Sequence, residues 1–339
     1  MRVLIPTVVE DTHAVFVKKA LESIGHEADL WYTADFPIKQ THALSIMNDE
    51  IRWVANLSTI SLHCPAYDVV WYRRPAHPKL PDTLHLDDIE NAKKENQLFF
   101  QTLWQVILPE AAWINPPNSL TKISSKLLQL KIANHLGMNI PNTLISNDPY
   151  IIKDYIRSNS QKVVYKSLYP MTWLAGNQIN MTYTTPITCA DLPSDYLLQC
   201  VPGIFQEKIE KQYELRITYF GNKYIAVKIH SQEHDMARLD WRSAPTKELK
   251  LESVALPEYI DKQCQLLMKK FNITFGCFDF IVTPDNDYYF LEVNEQGQFL
   301  WIEEVNPGIK MLQAFIHFLL SHKEGGIESG GQLNLSDFC

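Results

Sequence analysis

The segment from Phe278 to Asn294 constrains this chain more than any other. Phe278–Thr283 and Tyr288–Asn294 are aromatic and β-branched runs joined by Pro284-Asp285-Asn286-Asp287, a turn composition, so the spacing predicts a hairpin. With a four-residue loop Thr283 faces Tyr288, and counting back by pairs sets Asp279 against Glu292. Side chains alternate along a strand, which brings Asn294 to the same face as Glu292. Like charges directly opposite on a sheet repel. The neighbours Phe278, Phe280, Ile281, Phe290 and Leu291 are apolar, so the two carboxylates need a cation or a shared proton. Two carboxylates and an amide oxygen form a hard, all-oxygen set suited to Mg²⁺, which binds one or two carboxylates together with nucleotide phosphates. The alternatives are a solvent-facing acidic hairpin and a general acid/base pair. Asn294 and the lysines described next weigh against the latter.

Lys166 closes the run Val163-Val164-Tyr165, a place where a lysine is costly without an anion. Lys126 opens a segment with a helical stripe, Leu127, Leu128, Leu130, Ala133 and Leu136, ended by Gly137 and then Pro141. Thr143–Ser146 and Lys162–Leu168 read as strands. Upstream, a strand at Arg2–Val9, a helix over Ala14–Ile24 and a strand at Tyr67–Tyr72 predict a small α/β domain. Asn115-Pro116-Pro117-Asn118 marks its exit. A second hairpin is expected from Glu214–Phe220 through Gly221-Asn222 to Lys223–His230, and a helix over Pro257–Phe271.

A length of 339 residues allows two or three domains. The net charge of −8 argues against broad nucleic-acid binding, which needs a basic surface. No apolar run approaches membrane-spanning length, and Glu10 and Asp11 come too soon for a secretory signal. Cys64, Cys189, Cys200, Cys264, Cys277 and Cys339 are scattered without a CxxC pair, as expected of reduced thiols in the cytoplasm. Residues 323–339 are rich in Gly and Ser and are expected to be mobile. His230 and His234 have the spacing of a zinc pair on a helix, but they sit at a strand end with no third ligand in view, so zinc is not expected.

These residues resemble the ATP-grasp ligases. That family carries an Asp on one strand and Glu-x-Asn on the next, matched by Asp279 and Glu292-Val293-Asn294. Ser125-Lys126-Leu127-Leu128 matches its helix-opening lysine, and Val163–Lys166 its strand lysine. Phe205-Gln206-Glu207-Lys208-Ile209 resembles its adenine-reading hinge, and Glu214-Leu215-Arg216 its acidic-x-Arg strand. Three further segments resemble the graspetide peptide ligases, the microviridin macrocyclases among them: Trp71-Tyr72-Arg73-Arg74-Pro75, Asp240-Trp241-Arg242 and Gly297–Glu303.

The resemblance implies an α/β (α+β) ATP-grasp fold with a small N-terminal α/β (pre-ATP-grasp) domain at 1–118. A central subdomain at 119–205 and a C-terminal subdomain at 206–322 would follow, then the tail. ATP and Mg²⁺ are the implied cofactors. Asp279, Glu292 and Asn294 would be metal ligands. Lys126, Lys166, Gln206, Glu207, Lys208, Ile209 and Glu214 would bind the nucleotide. Arg216 and Arg242 would be catalytic, at the phosphates and the acyl phosphate, and Arg73 and Arg74 would meet an acidic peptide. The implied partner is a precursor peptide with a leader and an acid-rich core, whose Asp or Glu side chains are linked to Lys, Ser or Thr; neither nucleic acid nor membrane is expected, and a homodimer is compatible with the reading. A ligase adding free glutamate and a non-catalytic nucleotide-binding scaffold are the competing functions. One departure stands out. Where many ATP-grasp proteins have a glycine-rich loop over the phosphates, Leu168–Tyr183 has only Gly176, which suggests a hairpin with another use, such as contacting a leader.

Overall fold

The computed structural model describes the chain except residues 49, 58–60, 64–65, 161, 170–171, 176–177 and 323–331. The N-terminal unit begins with β1 (Arg2–Thr7), α1 (Thr12–Ser23) and β2 (Glu27–Tyr32). A meander of β3 (Thr41–Met47), β4 (Glu50–Asn56) and β5 (Ser61–His63) comes next, then β6 (Val69–Trp71), α2 (Leu86–Leu103) and β7 (Ala112–Ile114). β1, β2, β6 and β7 form a parallel sheet in the order β2-β1-β6-β7. It is covered on both sides, which explains why β1 reads as continuously apolar. Val3 and Ile5 pack with α1, while Leu4 between them packs on the opposite face with Trp31, Phe100 and Trp104.

The chain leaves this unit at Asn115, whose buried amide docks it onto the last third. Its Nδ2 donates to the carbonyls of Phe275 and Glu295, and its Oδ1 accepts from the amides of Thr274 and Phe275. Next come α3 (Pro117–Ile123), α4 (Lys126–His135), β8 (Thr143–Ser146), α5 (Pro149–Ser158), β9 (Val163–Lys166), a hairpin of β10 (Thr172–Ala175) and β11 (Gln178–Met181), β12 (Thr185–Ile187), α6 (Asp195–Cys200) and β13 (Gly203–Glu207). Gly137, at φ 75°, turns the chain after α4 as expected. The antiparallel sheet β12-β9-β13-β8 packs Val163 and Phe205 against Ile152 and Ile156 of α5. Alternation turns Lys166 and Gln206 to the other face. The Leu168–Tyr183 region does hold a hairpin, with Thr172 paired to Met181; Gly176 and Cys64 lie outside the described residues.

The third sheet has the order β16-β15-β14-β17-β18. Its strands are β14 (Tyr213–Phe220), β15 (Lys223–Ile229), β16 (Leu251–Val254), β17 (Phe275–Val282) and β18 (Tyr288–Asn294), with α7 (Glu258–Phe271) between β16 and β17. Ile260, Cys264 and Leu267 of α7 bury one face over Leu215, Ile217, Phe278, Phe280 and Phe290. The alternate residues of these strands, Glu214, Arg216, Asp279 and Glu292, therefore share the opposite face.

The hairpin register differs from expectation at both ends, and the differences cancel. Thr283 belongs to the turn, where its amide donates to the Asp287 carbonyl and its hydroxyl accepts from the Asp287 amide. Val282, not Thr283, is therefore the partner of Tyr288. A bulge between Asp279 and Phe280 then adds Leu291 as an extra residue on β18, and Asp279 does face Glu292.

The chain ends with α8 (Trp301–Val305) and α9 (Met311–Leu320). The expected mobile tail is corrected for its last part. Leu333 and Leu335 are buried in the main core, and the buried Glu303 carboxylate accepts from the amides of Leu312 and Leu335. Phe338 packs on the same core, and Lys310 and Lys19 bond to Asn334 Oδ1 and the Phe338 carbonyl, a docking that the polar composition hides. Residues 323–331 lie outside the described residues.

Candidate active site

Lys126, Lys166, Arg216 and Arg242 converge with Asp240, Asp279 and Glu292 between the second and third sheets. Lys126 is the first residue of α4, which is capped by Ser125 Oγ accepting from the Leu128 amide. The helix is fixed against the third sheet by Gln129, 3% exposed. Gln129 Oε1 accepts from the Val293 amide at 2.8 Å, while its Nε2 donates to the Val293 carbonyl at 2.9 Å and to the Ile123 carbonyl at 2.6 Å. The amide side chain thus serves the edge strand β18 as a neighbouring strand would. This holds Lys126 Nζ 3.2 Å from Glu292 Oε2.

Arg216 on β14 donates through Nη1 to both Asp279 oxygens, at 2.8 and 2.7 Å, and through Nη2 to the Gln298 carbonyl at 3.1 Å. Asn294 Nδ2 donates to Asp279 Oδ2 at 3.1 Å. Lys166 donates to Gln206 Oε1 at 2.7 Å, and Gln206 Nε2 donates to Thr143 Oγ1 at 2.9 Å. Arg242 is bound by Asp240 through two bonds, Nε–Oδ1 at 2.8 Å and Nη2–Oδ2 at 2.6 Å. Its side chain keeps 49% exposure, so the guanidinium is presented rather than consumed. The neighbouring Trp241 stacks on Trp301, with ring centres 4.6 Å apart. Two segments that are distant in sequence, 240–242 and 297–303, meet there.

Electrostatics bind the cluster into one unit. Burial pushes the Lys166 ammonium below its ordinary value; Lys126 and Arg242 add to this, while Glu292 opposes it. Burial also raises Asp279, against the pull of Arg216. Burial acts in the same direction on Glu292, but Lys126, Arg242 and Lys166 outweigh it and hold that carboxyl low. Glu214 is raised by burial, against the pull of Lys211, whose ammonium lies 2.7 Å away. The donors Asp279, Glu292 and Asn294 are all oxygen-bearing and adjoin on one face, which fits Mg²⁺. An excess of cations beside them suits a polyphosphate.

The 206–209 segment bridges the two sheets. Gln206 faces the cleft, whereas the Glu207 carboxylate accepts from Asn142 Nδ2 at 2.8 Å. The Lys208 amide bonds to the Lys162 carbonyl, after which the chain leaves the sheet through Ile209. A groove of about 810 Å³ runs between α4 and β8, from Leu127 to Glu207, within the range of ligand cavities.

Arg73 requires correction. It was expected to meet a peptide, yet it is 0% exposed and faces inward to Asp11, with Nε–Oδ2 at 3.0 Å. The arginine beside it, Arg74, is exposed. A period-two strand end puts one of two adjacent arginines inside, and spacing alone could not say which. Sequence reasoning also missed Asn115 and Gln129. A glutamine among leucines in a helical stripe was the available signal for Gln129.

No family model matches the chain, and no curated protein sequence does. Solved structures do. A RiPP-associated ATP-grasp ligase of Chryseobacterium gregarium, in complex with ADP and a leader and core peptide, is 25% identical, with a TM-score of 0.84 over 95% of this chain and 97% of that one. Macrocyclase MdnC of Microcystis aeruginosa, bound with precursor peptide MdnA, is 32% identical, with a TM-score of 0.81 over 95% of this chain and 100% of that one. Macrocyclase MdnB of the same organism is 26% identical, with a TM-score of 0.78 over 94% and 99%. With this identity carried along both chains end to end, the protein belongs to the ATP-grasp ligases, in the branch of the graspetide-type macrocyclases.

Proposed function

We propose that the enzyme uses ATP and Mg²⁺ to activate side-chain carboxylates of a ribosomally made precursor peptide, leader plus acid-rich core, and closes ester or amide cross-links within it. The observation that carries this is the cluster of Lys126, Lys166, Arg216 and Arg242 about Asp279 and Glu292, in a chain end-to-end similar to a macrocyclase bound to its precursor peptide. ATP lies between the subdomains 119–205 and 206–322, with Gln206, Glu207, Lys208 and Ile209 along the adenine. Of these residues only Glu207 lines the groove between α4 and β8. Asp279, Glu292 and Asn294 would hold Mg²⁺, which when bound neutralises charge developing on the phosphate oxygens.

The side chains divide the rest of the work. Lys126 and Lys166 bind phosphate; Lys126 exchanges its Glu292 partner for a phosphate oxygen, and the same anion offsets the burial cost of Lys166. Glu214, paired with Lys211, would bind the nucleotide. A peptide carboxylate oxygen attacks the γ-phosphorus as the bond to the β-bridging oxygen breaks, giving an acyl phosphate and ADP. Arg216 and Arg242 hold that acyl phosphate in the dry cleft, where hydrolysis would otherwise compete. A hydroxyl or amine then attacks the acyl carbon, the bond to phosphate breaks, and the nucleophile's proton leaves with the phosphate. Arg74 faces solvent, free to meet an acidic core. Cys200, Cys264, Cys277 and Cys339 stand as thiols, in keeping with a cytoplasmic setting.

The test is incubation with ATP, Mg²⁺ and an acid-rich peptide encoded near the gene, followed by intact mass. Stepwise loss of one water per ADP formed is expected. A mass gain in the presence of free glutamate, with no water loss from any candidate peptide, would refute ring closure and favour the amino-acid ligase.

A further inference from the structure

The segment 296–300 follows Asn294 and has no helix or strand of its own. It is held by side chains from the start of α1 and from just beyond β6, more than two hundred residues earlier. Arg73 Nη1 donates to the carbonyls of Gln296 and Gly297. His13 Nε2 accepts from the amides of Phe299 and Leu300, at 3.1 and 3.0 Å. Gln298, at the centre, gives its carbonyl to Arg216 Nη2. Asp11 orients Arg73 and is itself fixed by Thr7 Oγ1 at 2.9 Å.

There is little slack in this path. A Cβ on Gly297 would come within 2.6 Å of Cys277 Cβ and Sγ and 3.0 Å of Arg216 Nη2. Among the described residues, Arg73 Nη2 is buried without a hydrogen-bond partner. Burying an ion pair is a poor way to gain stability, since desolvation offsets the attraction, so fixed geometry accounts for the arrangement better than cohesion does.

We infer that Asp11 and Arg73 are positioning residues for the phosphate end of the site: they fix the Gln298 carbonyl, which sets Arg216, which in turn orients Asp279. This rests on the proposed function, in which Arg216 and Asp279 serve the Mg²⁺–nucleotide. The test is calorimetric binding of the non-hydrolysable analogue AMPPNP, with and without Mg²⁺, to the full chain and to Arg73→Lys, which keeps the charge but loses the fork. The variant should bind about tenfold more weakly in Mg²⁺ and within about twofold of the parent without it. In an Arg216→Lys background, adding Arg73→Lys should change little, because the two act along one path. Asp11→Asn, which leaves Gly297, Arg216 and Asp279 untouched and loosens only the Arg73 guanidinium, should give the same signature and carries the test if Arg73→Lys does not fold. Unchanged Mg²⁺-dependent binding in the folded variants, or losses that simply multiply with Arg216→Lys, would overturn the proposal. Failure of the parent chain to bind AMPPNP at all would instead overturn the ATP reading beneath it.

Discussion

Replacing Gln129 by Met keeps the size of the side chain and removes three hydrogen bonds, two to Val293 and one to Ile123. The three backbone groups left behind are enclosed, and each lost bond is worth about 1 kcal/mol, more where water cannot reach. A loss of about 3 kcal/mol follows. With an unfolding entropy of roughly 2.1 cal/mol/K per residue, a chain of 339 residues that melts as one unit would shift its Tm by about 4 °C. If the C-terminal half melts separately, the shift is about twice that. Activity should fall further than stability suggests. Gln129 ties the start of α4 to β18 and so sets the distance from Lys126 to Glu292, and a displacement of about 1 Å can cost on the order of 100-fold in rate. Differential scanning calorimetry and peptide-dependent ADP release, each normalised to folded protein, measure the two effects. A Gln129→Met enzyme with both Tm and rate unchanged would show that the amide is incidental and that Lys126 is placed by something else.

Three other outcomes follow from the same structure. Glu292→Ala should abolish ADP release while leaving the far-ultraviolet circular dichroism intact, because it removes a candidate ligand at a cleft; near-normal turnover at limiting Mg²⁺ would contradict the metal assignment. Burial and the nearby Arg73 push His13 down to about 3, so protonation favours the unfolded chain: the stabilisation is complete above the unfolded value near 6.5 and is lost as pH falls toward 3. About 2 kcal/mol should go by pH 5, and His13→Gln, which accepts the same two amides without titrating, should flatten the urea midpoint across that window. Arg74→Glu should raise the KM for an acidic peptide in a salt-dependent way and leave AMPPNP binding as it was, since Arg74 is exposed and is not one of the residues assigned to the nucleotide.

What the sequence made legible was chemistry that contradicts its surroundings. Asp279, Glu292 and Lys166 stand out because charge in an apolar strand needs a reason, and all three meet in one cleft. The facing of Asp279 and Glu292 came from counting, although a longer turn and a bulge both intervene and cancel; the counting was right at that pair and off by one nearer the turn. Gln129 shows in the sequence only as a glutamine in an apolar stripe, and the bonding of Asn115 and His13 leaves no trace there, for a common reason. Each bonds to backbone far away in sequence, and backbone partners leave no residue pattern to read. The docking of residues 332–339 was missed because Gly and Ser dominate the composition before them, while Leu333, Leu335 and Phe338 do the packing. Arg73 and Arg74 look alike in sequence, and only the sheet shows that one is a strut and the other a surface charge.

The central claim is that ATP activates a peptide carboxylate as an acyl phosphate before the ring closes. It is tested most directly by labelling the side-chain carboxylates of the precursor peptide with ¹⁸O and following the label into inorganic phosphate during turnover. The account predicts one labelled oxygen in phosphate for each linkage formed, because the carboxylate oxygen that attacks the γ-phosphorus leaves with it. Linkage formation with unlabelled phosphate would contradict it.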